Sequence, residues 1–213
     1  MMRLNRNPLR NVTASLLAVL ILSVAAAAKS APNPAFPNVH IKNFGQMDER
    51  FFRGAEPKRF EDIEALKGLG ISTVIDLQAE PAPSERGWVE SLGMRYVNIP
   101  MIEKKYPRPE WVAAFMKTVD DPSTGKFFVH CAGGRHRTGS LGAVYRFEKY
   151  GWGYEQAYAE MKQFDFYTRW GHGDFKTFVA DYARRMPARQ ASPTAPPAAA
   201  HVGSAEAVLA GRN

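Results

Sequence analysis

The stretch from Lys126 to Leu141, KFFVHCAGGRHRTGSL, constrains the fold more than any other part of the chain. Phe127-Phe128-Val129 is an apolar run of β character, residues 130–137 form a loop, and Thr138 onward is expected as a helix. A strand that stops at a glycine-containing turn and restarts as a helix leaves several backbone N–H groups without partners. They face one concavity, where the helix dipole also favours negative charge. Such a cradle suits an oxyanion, above all phosphate.

Cys131 and Arg137 stand at the two ends of this loop. A thiol is a modest nucleophile at neutral pH, but a helix N-terminus and nearby cations lower its pKa, and His130, Arg135, His136 and Arg137 are all neighbours in sequence. Cys131 is therefore a candidate thiolate. Arg137 offers a planar, permanently charged fork that can hold two phosphate oxygens at once. Gly133 and Gly134 allow the backbone to approach an anion closely and to take positive φ. A buried small hydrophobe and a surface cation would account for Cys131 and Arg137 one by one, but not for the glycines or the basic cluster.

The run HCAGGRHRTG resembles the Cys-x5-Arg signature loop of the protein tyrosine phosphatase superfamily, in the extended form His-Cys-x-x-Gly-x-x-Arg-Thr-Gly. The resemblance points to the compact dual-specificity group and its bacterial relatives. It implies that Cys131 attacks phosphorus to give a cysteinyl-phosphate, that Arg137 binds the phosphoryl oxygens, and that Ala132, Gly133, Gly134, Arg135 and His136 complete the substrate-binding loop. His130 would tune the thiolate, and the Thr138 hydroxyl would stabilise it as a leaving group. No metal and no cofactor is implied, since Arg137 and the loop amides carry the electrostatic stabilisation. The implied substrate is a phosphorylated protein, with an inositol phosphate or phosphoinositide as the alternative suited to Arg135 and His136. A non-catalytic phosphate-binding module is a further alternative. A rhodanese-like sulfur transferase also cradles anions with a cysteine loop, but the Arg137-Thr138-Gly139 ending points to phosphatase.

One part of the family pattern is missing. The segment Ile102 to Pro109, IEKKYPRP, holds no aspartate where the family commonly places its general acid. Glu103 is the nearest carboxylate and the candidate acid, or else a surface glutamate beside Lys104 and Lys105. Asp165 is a second candidate, while Asp120 and Asp121 close a helix and lead away from the loop.

The rest of the chain supplies a frame. Arg3, Arg6 and Arg10, the apolar run Leu16 to Val24 and Ala26-Ala27-Ala28 read as a secretory signal peptide over residues 1–28, hence a secreted or periplasmic protein without stable membrane insertion once cleaved, with an uncleaved anchor as the alternative. Losing it removes three arginines from 28 basic residues against 21 acidic ones, so the formal charge of +7 falls to +4, too mild and scattered for nucleic-acid binding. A single cysteine leaves no intramolecular disulfide. Residues 29–39 read as an extended lead-in, 40–186 as one domain, and 187–213, rich in Ala and Pro, as a disordered tail. Arg50 to Arg53 reads as a short edge strand closed by a Gly54 turn, with Arg53 expected as a surface charge rather than facing the site. Helical spacing over 60–69, the β-branched run ISTVIDL, a helix from Ser84 to Leu92, a strand over 94–101 and helices over 110–119, 154–164 and 174–185 complete an α/β domain. Its central sheet is expected to be mostly parallel and flanked by helices, with the phosphate loop between a strand and a helix. Asp76 is expected in a structural hydrogen-bonding role. The aromatic segment 164–173, with Arg169 and His172, is expected mainly in the core.

Overall fold

The computed structural model describes residues 35–186; the signal segment, the first part of the lead-in and the tail 187–213 lie outside the described residues. Five strands, β1 (Gly45–Gln46), β2 (Phe51–Ala55), β3 (Ile71–Gln78), β4 (Arg95–Met101) and β5 (Lys126–Cys131), form one sheet in the order β1-β2-β5-β3-β4. The β1-β2 pair is antiparallel and every other pairing is parallel. Among the described residues six α-helices flank it: α1 (Phe60–Gly68), α2 (Glu85–Ser91), α3 (Pro109–Asp120), α4 (His136–Tyr150), α5 (Tyr154–Gln163) and α6 (Gly173–Arg185). No helix among the described residues is long and apolar enough to cross a membrane.

β3 and β5 are covered on both faces and buried at nearly every position, with apolar Val74, Ile75, Leu77 and Phe127 to Val129 beside the buried polar groups Thr73, Asp76 and His130. Alternation along β5 divides the core. Phe127, Val129 and Cys131 join the layer with Phe115, Leu141 and Phe175, whereas Phe128 joins the opposite layer with Ile63, Leu66 and Val89. His130 stacks on Phe128 at 5.6 Å and 18°, so it lies on the second face. Consecutive residues of the signature segment thus serve opposite sides of the sheet.

The expected elements appear with ends shifted by a residue or two, and three expectations are corrected. β2 is not an edge strand, because β1 covers its outer side and β5 pairs with the other. Arg53 is fully buried rather than a surface charge. Gly54 lies inside β2 instead of closing a turn, and a Cβ there would stand 2.9 Å from Ile41 and 3.1 Å from the Phe128 ring. Packing also begins before residue 40: Val39 is buried, and Phe36 meets Phe44 edge-on at 5.2 Å.

Candidate active site

The loop after β5 returns the chain to α4, which starts at His136, two residues earlier than its spacing suggests. Gly134 makes the turn possible. Its φ is +65°, and a Cβ would lie 2.4 Å from the Gly54 backbone. The loop carbonyls are tied outward. Asn43 Nδ2 donates to Gly133 O at 3.3 Å and Gly134 O at 3.1 Å, and Arg53 donates to Gly134 O at 2.8 Å. With these carbonyls engaged behind the loop, the unpaired amides of the first α4 turn remain for an anion.

Cys131 and Arg137 are both buried. The Arg137 guanidinium donates to Met101 O at 3.2 Å and Leu77 O at 3.5 Å, so the ends of β3 and β4 aim it. Burial alone would push the Cys131 thiol up. The Arg137 charge, the Thr138 hydroxyl and amide, and His130 outweigh it, and the thiol titrates below its ordinary value. The Thr138 hydroxyl has no other hydrogen-bond partner among the described residues.

The surroundings of His130 are only partly legible in the sequence. Its Nε2 lies 2.8 Å from Glu85 Oε1 and its Nδ1 3.8 Å from Asp76 Oδ1, with all three side chains buried. Asp76 also accepts from Tyr96 Oη at 2.7 Å, in line with its expected structural role. Glu85 is a site residue that sequence reasoning misses. A signal exists: it stands four residues before Val89 on the apolar face of α2, where a carboxylate needs a partner. These three residues are a grouping whose donor atoms lie within 4.8 Å of one another, close enough to ask about a cation. The 2.8 Å contact is a hydrogen-bonded ion-pair distance. It is shorter than the roughly 3.4 Å that two ligands of one tetrahedral ion keep with bonds near 2.1 Å.

His136 departs from expectation. Burial, the neighbouring His172 and the adjacent arginines hold its pKa down at about 4, so it adds no positive charge to the loop at neutral pH. Its ring stacks on His172 at 3.8 Å and its Nε2 faces Tyr167 O at 3.0 Å. His172 in turn stands 3.5 Å from Glu103 Oε1. Glu103 is therefore drawn to the loop's neighbourhood through His172, though its side chain is 60% exposed. Asp165 lies 3.7 Å from Arg135, which is itself 41% exposed. Asp120 and Asp121 bond elsewhere, to Lys149 and Arg95. The aromatic segment is mixed: Phe164 and Phe166 are core, but Trp170 is 68% exposed.

Residues 47–168, more than half of the chain, match the family described as PTP-SAK, Swiss Army Knife protein, DSP-PTPase phosphatase domain. The chain belongs to this PTP-SAK family. As a member it is a phosphatase-type hydrolase of the protein tyrosine phosphatase superfamily. Among its relatives, the dual specificity protein phosphatase TpbA of Pseudomonas aeruginosa strain UCBPP-PA14 is 26% identical over 182 residues, covering 80% of this chain and 78% of TpbA. Solved structures share the PTP-SAK member's fold. Crystalline P. aeruginosa TpbA superposes with a TM-score of 0.57 at 22% identity, covering 71% of this chain and 88% of that one. The catalytic domain of the PP-IP phosphatase SIW14 of S. cerevisiae does so with a TM-score of 0.58 at 21% identity, covering 68% and 88%.

Proposed function

We propose that the protein hydrolyses phosphomonoesters through a cysteinyl-phosphate, with Cys131 as nucleophile. The observation that carries this reading is the buried Cys131 thiol, held below its ordinary pKa by Arg137, Thr138 and His130 at the junction of β5 and α4. The thiolate attacks phosphorus, the bond to the leaving oxygen breaks, and Glu103 gives that oxygen its proton. Water then attacks the cysteinyl-phosphate and returns a proton to Glu103, releasing phosphate and the thiolate. Arg137 and the loop amides of residues 132–136 hold the phosphoryl oxygens throughout.

The substrate this reading favours is a phosphorylated protein, in keeping with the dual-specificity name carried by TpbA. A second reading, an inositol polyphosphate, is favoured by one observation: Arg135 of the loop is partly exposed, and Lys104, Lys105 and Arg169 are exposed. The SIW14 structure is that of a PP-IP phosphatase, which supports the same reading. Residues 1–28, with their arginines, apolar run and closing alanines, support action outside the cytoplasm.

Hydrolysis of a small aryl phosphate across pH tests the chemistry. Cys131→Ser is expected to lower kcat by about ten-thousand-fold or more, as loss of a covalent nucleophile does. Glu103→Gln is expected to lower it about a hundred-fold and to remove the basic limb of the profile. A parent protein that binds phosphate without turning over the aryl ester would defeat the enzymatic reading, and an unchanged basic limb would take the acid role from Glu103. A panel of phosphopeptides and inositol polyphosphates separates the two substrate readings.

A further inference from the structure

We propose that Glu85 is a positioning residue for this reaction: its carboxylate fixes the His130 imidazolium behind the sheet and so sustains the Cys131 thiolate on the opposite face. The inference rests on Cys131 being the nucleophile. Its foundation is the alternation of β5, which sends the Cys131 and His130 side chains to opposite layers although they are adjacent in sequence. Substrate approaches one face, and the charge behind the thiol is held from the other.

The geometry specifies the charge state. His130 Nε2 faces Glu85 Oε1 at 2.8 Å and Nδ1 faces Asp76 Oδ1 at 3.8 Å. The second contact is beyond hydrogen-bond reach, but two buried carboxylates on either side of the ring both favour the imidazolium. Each of these side chains is fully buried, and neither the Glu85 carboxylate nor the His130 ring has another hydrogen-bond partner among the described residues. A lone carboxylate or a lone imidazolium there would carry a large desolvation cost. Pairing the carboxylate with the ring offsets that cost.

The surroundings of His130 leave Glu85 as its principal counter-charge. From β3 comes Asp76, already occupied by Tyr96 Oη of β4 at 2.7 Å and Gln78 N at 2.8 Å. From β5 come Cys131 and the Phe128 ring, and β2 offers only the Gly54 backbone in register. Arg86 of α2 lies over the Tyr96 ring at 4.6 Å. Burial would lower the His130 pKa, yet Glu85, Asp76 and Cys131 together raise it above the ordinary value. Around the thiol itself stand Arg137, Thr138 and His130, with Arg53 approaching from β2.

The test uses the lone cysteine as its own reporter. The far-UV absorbance of the thiolate is followed against pH in the full chain, in Glu85→Gln, in His130→Asn and in the double variant, with Cys131→Ser as blank. Glu85→Gln is expected to raise the thiol midpoint by about one unit. It is expected to move it no further once His130 is Asn. The direction is diagnostic, because removing a negative charge acts directly on a nearby thiol in the opposite sense. A midpoint that stays in place or falls in Glu85→Gln, even with lowered stability, would overturn the proposal. If Glu85→Gln does not fold, nitrogen NMR of the parent decides: both His130 nitrogens are expected protonated at neutral pH, and a neutral ring would overturn it. Neither readout needs turnover. A protein that shows the coupling but hydrolyses nothing would reject the phosphatase mechanism while keeping the Glu85 to Cys131 linkage.

Discussion

Gly134 shows how one residue can carry a site without touching a ligand. Its positive φ and the 2.4 Å separation of a hypothetical Cβ from Gly54 leave no room for alanine. Gly134→Ala is expected to destabilise the fold by about 3 kcal/mol or more, combining left-handed strain with a backbone clash. Gly87, exposed within α2 with nothing within 4 Å of where a methyl group would stand, faces the reverse situation. Gly87→Ala is expected to stabilise by about 0.5 to 1 kcal/mol, since alanine is the better helix former. Urea denaturation of the two variants should give opposite signs for the same chemical change. At this scale Cys131, Gly134 and Arg137 are legible in the sequence because their spacing is local and their chemistry distinctive. Arg53 is not, because a guanidinium in a five-residue strand looks alike whether solvent or the Phe164 ring lies above it; the ring does, at 3.9 Å. His136 misleads for a related reason: a histidine among arginines reads as charge until the ring stacking against it is known.

Among the elements, α4 is the most demanding, for every residue from His136 to Phe147 is buried. Its amphipathic spacing in the sequence suggests one apolar side, and the missing information is that α3, α5 and α6 all pack on it. The same burial explains Arg146, whose guanidinium meets Glu160 of α5 through two bonds of 3.1 and 2.6 Å and donates to Met47 O at 2.7 Å. Removing one member strands a buried charge. Glu160→Gln is expected to cost about 3 to 5 kcal/mol in a chemical denaturation experiment, whereas replacing both residues by apolar ones should cost less than either single change. Strands are easier to place than their neighbours. Runs such as ISTVIDL declare themselves by composition, but the order β1-β2-β5-β3-β4 depends on pairings between residues some 50 to 75 positions apart, as Ile71 with Lys126 and Phe51 with Phe127. That is why β2 reads as an edge when only the sequence is in view.

For the whole molecule, the buried histidines set opposing pH dependences. His136 has a folded pKa of about 4 against an ordinary 6.5, so the unfolded chain binds its proton first. Stability from this group is full above 6.5 and is lost as pH falls through the window down to about 4. His130, raised in the folded state, contributes stability below 6.5 that fades as pH rises through its folded pKa. Thermal unfolding between neutral pH and about 4 is expected to show a steeper acid decline in the parent than in His136→Phe, with the difference confined to that window. Equal slopes would mean that the ring's burial has no bearing on acid sensitivity.

The outward ties of the signature loop have a consequence for how the protein acquires its activity. Asn43 and Arg53 reach Gly133 and Gly134 across sequence separations of 81 to 91, so the cradle's shape is a product of long-range docking. Local sequence can make the strand and the helix early, but the loop between them takes its final form only when the N-terminal strands close against β5. An incompletely folded or N-terminally clipped chain would then carry the complete signature and still lack a formed anion cradle, which keeps a reactive thiolate from being armed before the domain is whole.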